Sequence, residues 1–333
     1  MATYSKSKCR ALGLCSGGLD SILAALVLQE QGIDVTWISF ETPFFSADKA
    51  RMAVEQVNIP LIVEDIGRRY LKMLKDPPAG YGRHMNPCLD CHALMFQCAG
   101  ERMLEEGFAF LFSGEVVGQR PMSQTKPSIR YVEKHSGFAG RILRPLSAGL
   151  LPVTLPEKEG LVDRKQLLDI SGRSRKRQIA LAEEFGVNDY PNPGGGCLLT
   201  YAGFSNRLKD LFHHQKDYTT RELHLLKYGR HFRFPDGAKI IIGRSQGDND
   251  KLHRYCQPEK DALLWLREYP GPVALVPPPL RRDTVVKAAA MIIGYSKAPQ
   301  GGGVDVEVSL PGGQEVICVH GIPPATVTDY LLT

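Results

Sequence analysis

The sequence predicts an α/β protein: a parallel sheet with helices on both faces, followed by a smaller α+β module. Three observations predict it. In the first third of the 333 residues, short apolar runs alternate with segments of helical period. A glycine turn, Ser16-Gly17-Gly18, joins the first run to the first helix. From about residue 204 the alternation stops, and Pro235-Asp236-Gly237 separates two strand-like runs as a hairpin would. Domains are expected over 1–200 and 201–333, a length that suits two domains.

The elements follow in order. The run over 10–15 reads as a strand. A helix over 19–31 places Ile22, Leu23, Leu26 and Val27 on one face, with Gly32 past its end. Strands over 35–40 and 61–63 flank a helix over 47–57, and 66–74 is helical. A long helix over 91–106 stops at Gly107, ahead of a strand over 108–112. The Pro- and Leu-rich stretch 141–156 is expected to skirt the sheet edge, and helices are expected over 163–170 and 175–185. Pro191-Asn-Pro-Gly-Gly-Gly-Cys197 suits neither helix nor central strand. In the second module, helices are expected over 204–214 and 284–293, and strands over 231–234, 239–242, 304–310 and 315–319.

Composition bounds the function. With 43% hydrophobic and 23% charged residues, the chain is not of disordered type. A net charge of +5 permits an anionic partner without requiring one. No apolar run approaches the roughly 18 residues that span a bilayer, and residues 1–10 are polar with no signal core, so a cytoplasmic location is expected. Eight Cys in a chain of this length point to metal binding or thiol chemistry rather than a disulfide framework.

Ser16-Gly17-Gly18-Leu19-Asp20-Ser21 opens the first helix. Two glycines allow a sharp turn that exposes backbone N–H groups, and the helix start adds positive potential. Ser16 and Ser21 offer hydroxyls to phosphate oxygens, and Asp20 stands where a carboxylate could hold Mg2+. The plainer alternative is a strand–turn–helix capped by Ser16 or Asp20. Five fixed residues at set spacing arise by chance on the order of once per million positions, which favours a phosphate loop. The pattern lacks the Lys of a Walker loop and is not G-x-G-x-x-G. It resembles the pyrophosphate loop of the PP-loop ATP pyrophosphatases. That resemblance implies a Rossmann-like sheet and cleavage of ATP to AMP and pyrophosphate through an adenylated substrate.

Asn86-Pro87-Cys88-Leu89-Asp90-Cys91-His92 begins a helix. Cys-x-x-Cys there puts two thiols on one metal, one cluster or one redox pair, and the helix dipole is expected to lower their pKa. Cys197 is an approachable third thiol. Zinc would want a fourth ligand from His84, His92 or Cys98; a [4Fe–4S] cluster on three Cys would leave one iron open; or Cys197 and Cys91 could alternate as persulfide carrier and resolver. Cys98 reads as core, and Cys9, Cys15, Cys256 and Cys318 receive no thiol role.

A PP-loop followed by Asn-Pro-Cys-x-x-Cys and a lone Cys about a hundred residues on resembles the tRNA-uridine thiolases. The Asn-Pro-Cys element is like the 2-thiouridine synthases. Ser113-Gly114-Glu115-Val116-Val117-Gly118-Gln119, then Ser123-Gln124-Thr125, is similar to an element of the 4-thiouridine synthases; the plainer alternative is a polar loop. Neither the N-terminal RNA-binding domain of the latter nor a rhodanese tail is recognisable. The resemblance implies a nucleotide set of Leu14, Cys15, Ser16, Gly17, Gly18, Asp20, Ser21, Phe40, Gly114 and Gln119, with Asp20, Cys88, Cys91 and Cys197 catalytic.

Arg173, Arg175, Lys176 and Arg177 crowd four cations into five residues. Residues 207–254 hold eleven Lys or Arg against six acids, interleaved with Tyr228, Phe232, Phe234 and Tyr255, which suits stacking on splayed bases. Arg230-His-Phe-Arg233 with Lys239 through Arg244 resembles the small RNA-binding module of the NFACT family. These eight cations, Arg173, Arg175, Lys176, Arg177, Arg230, Arg233, Lys239 and Arg244, are the expected RNA contacts. The reading is an ATP-dependent tRNA thiolase, of 4-thiouridine rather than 2-thiouridine type. It would use ATP, Mg2+ and a [4Fe–4S] cluster (zinc as the alternative), with sulfide or a desulfurase persulfide as donor. The competing readings are an amide-forming PP-loop ligase and a non-catalytic, zinc-stapled RNA-binding factor.

Overall fold

The computed structural model describes residues 9–191, 197–299 and 301–333. The chain divides into two compact units, Met1–Thr200 and Tyr201–Thr333, each with its own sheet. No helix among the described residues is long and apolar enough to cross a membrane.

The first unit runs β1 (Arg10–Leu14), α1 (Leu19–Glu30), β2 (Asp34–Glu41), α2 (Asp48–Val57), β3 (Leu61–Asp65), α3 (Gly67–Lys75), α4 (Cys88–Glu106), β4 (Phe110–Ser113), α5 (Lys126–Ser136), β5 (Ile142–Leu143), α6 (Leu155–Lys158) and α7 (Lys176–Glu184). Its five strands are all parallel, in the order β3-β2-β1-β4-β5. This is the α/β sheet expected, and the 141–156 stretch adds the edge strand β5. Strands buried on both faces are near-continuous apolar runs: Ala11, Leu12, Phe110 and Leu111 are all fully buried. The chain winds outward from β1 through β3 and then returns to lay β4 on the other side of β1. That reversal opens a crevice between the carboxyl ends of β1 and β4, where ligands bind in such sheets.

The helix expected over 163–170 is corrected: only Arg164–Gln166 turns, as a 3-10 helix. Asp163 caps it through the Lys165 N–H, and Leu168 and Ile170 then donate to the carbonyls of Pro145 and Leu146. Backbone pairing with the 145–146 strap wins over helical period.

The second unit runs α8 (Ala202–His214), α9 (Thr220–Leu225), β6 (Arg230–Arg233), β7 (Lys239–Ile242), α10 (Gln246–Tyr255), β8 (Ala262–Leu266), β9 (Ala274–Val276), α11 (Arg282–Gly294), β10 (Gly303–Leu310) and β11 (Gly313–His320). Its six strands are antiparallel, ordered β11-β10-β8-β9-β7-β6. Alternation divides the strands between two cores. Ile240 and Ile242 join Val285, Ala289 and Ile292 of α11, whereas Ile241 joins Leu225 and Leu252 of α9 and α10.

Candidate active site

The loop after β1 is built for close approach. Gly17 has φ +71°, and a Cβ there would stand 2.2 Å from the Lys49 carbonyl, so only glycine fits. Its N–H donates to Cys15 Sγ at 3.3 Å. Ser16 is exposed and Gly18 N-caps α1 in extended conformation. Leu14 closes β1, and Phe40 lies buried near the end of β2. Ser21 is buried, and its hydroxyl donates to the Gly18 carbonyl at 2.7 Å, bracing the loop.

Asp20 is oriented from outside its own helix. Gln119 Nε2 donates to Asp20 Oδ2 at 2.7 Å, and Gln178 Nε2 of α7 donates to Gln119 Oε1 at 2.8 Å. Asp20 Oδ1 is buried without a partner. Burial raises the Asp20 pKa, while Gln119, Arg175 and Arg120 pull against the rise. Arg175, expected on RNA, therefore bears electrostatically on Asp20 at the start of α1, with its Nε buried and without a partner among the described residues. Arg173, Lys176 and Arg177 remain exposed, Arg177 paired with Asp169 at 2.7 Å.

The loop after β4 joins this point directly. A Cβ on Gly114 would lie 2.3 Å from the backbone carbonyl of Asp20 and 2.5 Å from Ser21 N, so the start of α1 rests on a bare glycine. Ser123 and Gln124 are buried, and Gly118 N–H donates to the Gln124 carbonyl at 2.7 Å; this is a packed element rather than a solvated loop. Glu115, which sequence reasoning gave no role, is buried and bonded to His92 Nδ1 (2.9 Å) and Arg144 Nε (2.9 Å). Burial opposes its charge, yet Arg144 and His92 hold its carboxyl at about 2. Fully buried Arg144 also binds Glu133 at 2.5 Å. Partners 23 and 29 residues apart leave no local pattern to read.

His92 follows Cys91, which brings the thiols alongside. Asn86 shapes the entry to α4: its Nδ2 donates to Cys88 Sγ at 3.3 Å, and its Oδ1 accepts from His84 N–H. The three thiols are near enough to repel one another as anions, Cys91 feeling both Cys197 and Cys88. The helix dipole was expected to lower their pKa; instead burial pushes Cys91 up to about 12, with the Tyr70 hydroxyl beside it in partial opposition. Burial likewise raises Cys197 to about 11, against the Leu199 amide. Residues 192–196 of the glycine-rich segment lie outside the described residues. Among those described, no group of three or more His, Cys, Asp or Glu side chains is disposed to hold a metal ion. The expected cluster, or zinc, thus has no assembled ligand set. Cys98 is core, as read.

In the second unit, two expected RNA contacts are corrected. Arg233 forks onto Asp210 at 2.8 Å through both nitrogens, and Lys239 joins the same carboxylate at 3.2 Å. Burial brings Lys239 down to about 8. Both are internal struts. Phe232 and Phe234 are core. Arg230 lies over the Tyr295 ring, and Arg244 pairs with Asp248 at 2.8 Å.

Residues 6–149 match the family model described as Thiamine biosynthesis protein (ThiI), and residues 229–331 match the NFACT protein RNA binding domain. A tRNA-specific 2-thiouridylase MnmA of Cutibacterium acnes is 33% identical over 217 residues, 57% of this chain and 54% of that protein. Its namesake in Thermobifida fusca is 32% identical over 127 residues, 32% of this chain and 35% of the relative. The chain thus spans about half or less of the length of these curated relatives. Among solved structures, a predicted subunit of tRNA methyltransferase from Methanocaldococcus jannaschii has a TM-score of 0.35 at 16% identity, covering 53% of this chain and 76% of that one.

Proposed function

We propose that this chain, whose residues 6–149 match the ThiI family model and whose residues 229–331 match the NFACT RNA binding domain, is a cytoplasmic, ATP-dependent tRNA sulfurtransferase. One observation carries the proposal. Gly114 touches the backbone of Asp20, and its neighbour Glu115 grips His92, next to Cys91, so a single loop ties the phosphate-binding turn to the thiols. ATP rests its triphosphate on the amides of residues 16–18 and the positive end of α1, with Arg175 and Arg120 adding charge. The buried, unpartnered Asp20 Oδ1 fits a carboxylate ligand of Mg2+, which would neutralise phosphate charge. A uridine carbonyl oxygen attacks the α-phosphorus and pyrophosphate leaves. The O-adenylated base then carries AMP as its leaving group.

Sulfur arrives as a persulfide on Cys197, formed when the Cys197 thiolate takes the outer sulfur of a donor persulfide and the donor's own cysteine leaves as a thiol. Its terminal sulfur bonds the base carbon as AMP departs. Cys91 attacks the carrier sulfur, closing a protein disulfide and freeing the thiouridine, and an external dithiol reduces the disulfide. The thiols supply the nucleophiles on this route; iron with acid-labile sulfide in anaerobically purified protein would move the carrier to a [4Fe–4S] cluster. The Gly114-Glu115…Gln119 element supports 4-thiouridine as product. The 2-thiouridylase relatives favour the second reading, 2-thiouridine.

Mass spectrometry of tRNA nucleosides from cells lacking the chain should show one thiolated uridine missing. Purified Asp20→Ala should lose pyrophosphate release by about 100-fold or more with an unchanged circular dichroism spectrum. Cys197→Ala should release pyrophosphate and make no thiouridine. Wild-type release by the first variant would remove the phosphate-loop assignment, and a full thiouridine yield from the second would remove Cys197.

A further inference from the structure

The C-terminal unit carries three near-parallel rings, of which Tyr255 also packs on the cluster around Leu225 and Leu252. Tyr255, at the end of α10, stacks against His224 of α9 on one side (centroids 5.9 Å, 14° between planes) and Tyr228 on the other (5.9 Å, 24°). All three are half-buried, so each keeps an exposed edge or face. Arg221 holds the row in place: its Nε donates to the Tyr255 carbonyl at 2.6 Å, tying α9 to the end of α10.

Lys227 lies in the same row. It is half-buried, and among the described residues its ammonium has no carboxylate partner; its side-chain contact is His224 Nδ1 at 3.2 Å. With the Lys227 ammonium donating to Nδ1, the neutral His224 ring carries its proton on Nε2. An ammonium half out of water with no counter-charge is costly, and an anion from outside would relieve it. The nearby acids are paired with other cations: Asp248 with Arg244, and Glu222 and Asp261 with Arg221, Glu222 also accepting from the Thr219 cap. Arg254, exposed and near enough to Tyr228 to act on it electrostatically, adds a second cation with no carboxylate partner among the described residues.

Half-buried flat rings beside an ammonium with no carboxylate partner suit a nucleotide, its base on a ring and its phosphate on the ammonium. We infer that His224, Tyr255 and Tyr228 form a stacking platform for an unpaired nucleotide of RNA, with its phosphate on Lys227. The inference rests on the reading of this chain as an RNA-modifying protein and deepens it, because three of the four residues precede the matched span 229–331. Duplex RNA does not fit, since paired bases present no free face to the rings.

The test measures binding of the full chain to a labelled oligouridine by fluorescence anisotropy over a salt series, with duplex RNA as competitor. Tyr228→Leu should weaken binding roughly tenfold or more, and Tyr228→Phe should not. Lys227→Gln should weaken binding and lower the salt slope by about 0.7, the loss of one phosphate contact on a single strand. Unchanged binding by Tyr228→Leu, an unchanged slope for Lys227→Gln, or equal competition by duplex would each overturn the platform. So would a wild-type chain that ignores oligouridine. Pyrophosphate release and thiouridine yield are read separately: a chain that binds through the platform but makes no thiouridine sinks the sulfurtransferase reading and leaves the platform standing.

Discussion

At the scale of single residues, the site depends on places where a side chain is absent. A methyl on Gly114 would press on the Asp20 carbonyl and the Ser21 nitrogen, both backbone atoms that cannot rotate away. Gly114→Ala should therefore shift the start of α1, costing about 1–3 kcal/mol of stability as overpacking does. Pyrophosphate release should fall far more than thermal stability. Wild-type release with a normal melting temperature would show that the loop after β4 does not set the loop after β1. Much at this scale was legible. The spacing of Ser16, Gly17, Gly18 and Asp20 carries its own physics, since turn, exposed amides and carboxylate are all local. The direction of Ser21 was not legible, because a helix's second hydroxyl can turn to phosphate or to the Gly18 carbonyl with the same sequence. Nor was the thiol pKa at Cys91, because the dipole is visible in sequence and burial is not.

Between elements, the sequence loses what the sheet brings together. Glu115 after β4, His92 on α4, Glu133 on α5 and Arg144 after β5 form one charged network from four elements. The long helices were readable from their period, down to the stop at Gly107, where φ is +70°. The helix α5 went unread although Thr125 followed by Lys126-Pro127 is a capping signal, and α10 was equally announced by Ser245 and Asp248. A cation run such as 173–177 cannot show which residue turns inward, and Arg175 does. The network makes a pH prediction. The Glu115 carboxyl sits at about 2 in the folded chain against an ordinary 4.5, so its stabilisation is present above about 4.5 and is lost as pH falls toward 2. That difference is worth about 3 kcal/mol at neutral pH. Thermal melts should show Glu115→Gln less stable at pH 7, with the gap to wild type closing between pH 4.5 and 2. A gap that stays constant down to pH 3 would place the stabilisation in packing rather than charge.

Across the whole molecule, two sheets with separate cores divide the chemistry. Among the described residues, the buried cluster on α1, β2 and β4 runs as far as Val187, with Tyr190 packed against it, and those around α11 and α10 begin at Leu225. The change from parallel to antiparallel grammar was legible because parallel strands, buried on both faces, are spaced by helices, whereas a hairpin announces itself at Pro235-Asp236-Gly237. Which cations of the second unit are struts was not, because Arg233 and Lys239, bound to Asp210, look the same in sequence as Lys227, which has no carboxylate partner among the described residues. If the cores are independent, residues 1–200 should fold alone with a single cooperative melt, because no member of the first core is removed. That piece should bind ATP as the full chain does, since Ser16, Asp20, Gly114, Gln119 and Arg175 are all retained. It should bind tRNA more weakly and with a shallower dependence on salt, because the cations of the second unit no longer release counterions. Calorimetry with ATP and a tRNA titration at several salt concentrations separate the two effects. A 1–200 fragment that keeps full tRNA affinity would transfer RNA recognition to Arg173, Lys176 and Arg177. One that cannot bind ATP would mean that the phosphate loop needs the second unit to hold its shape.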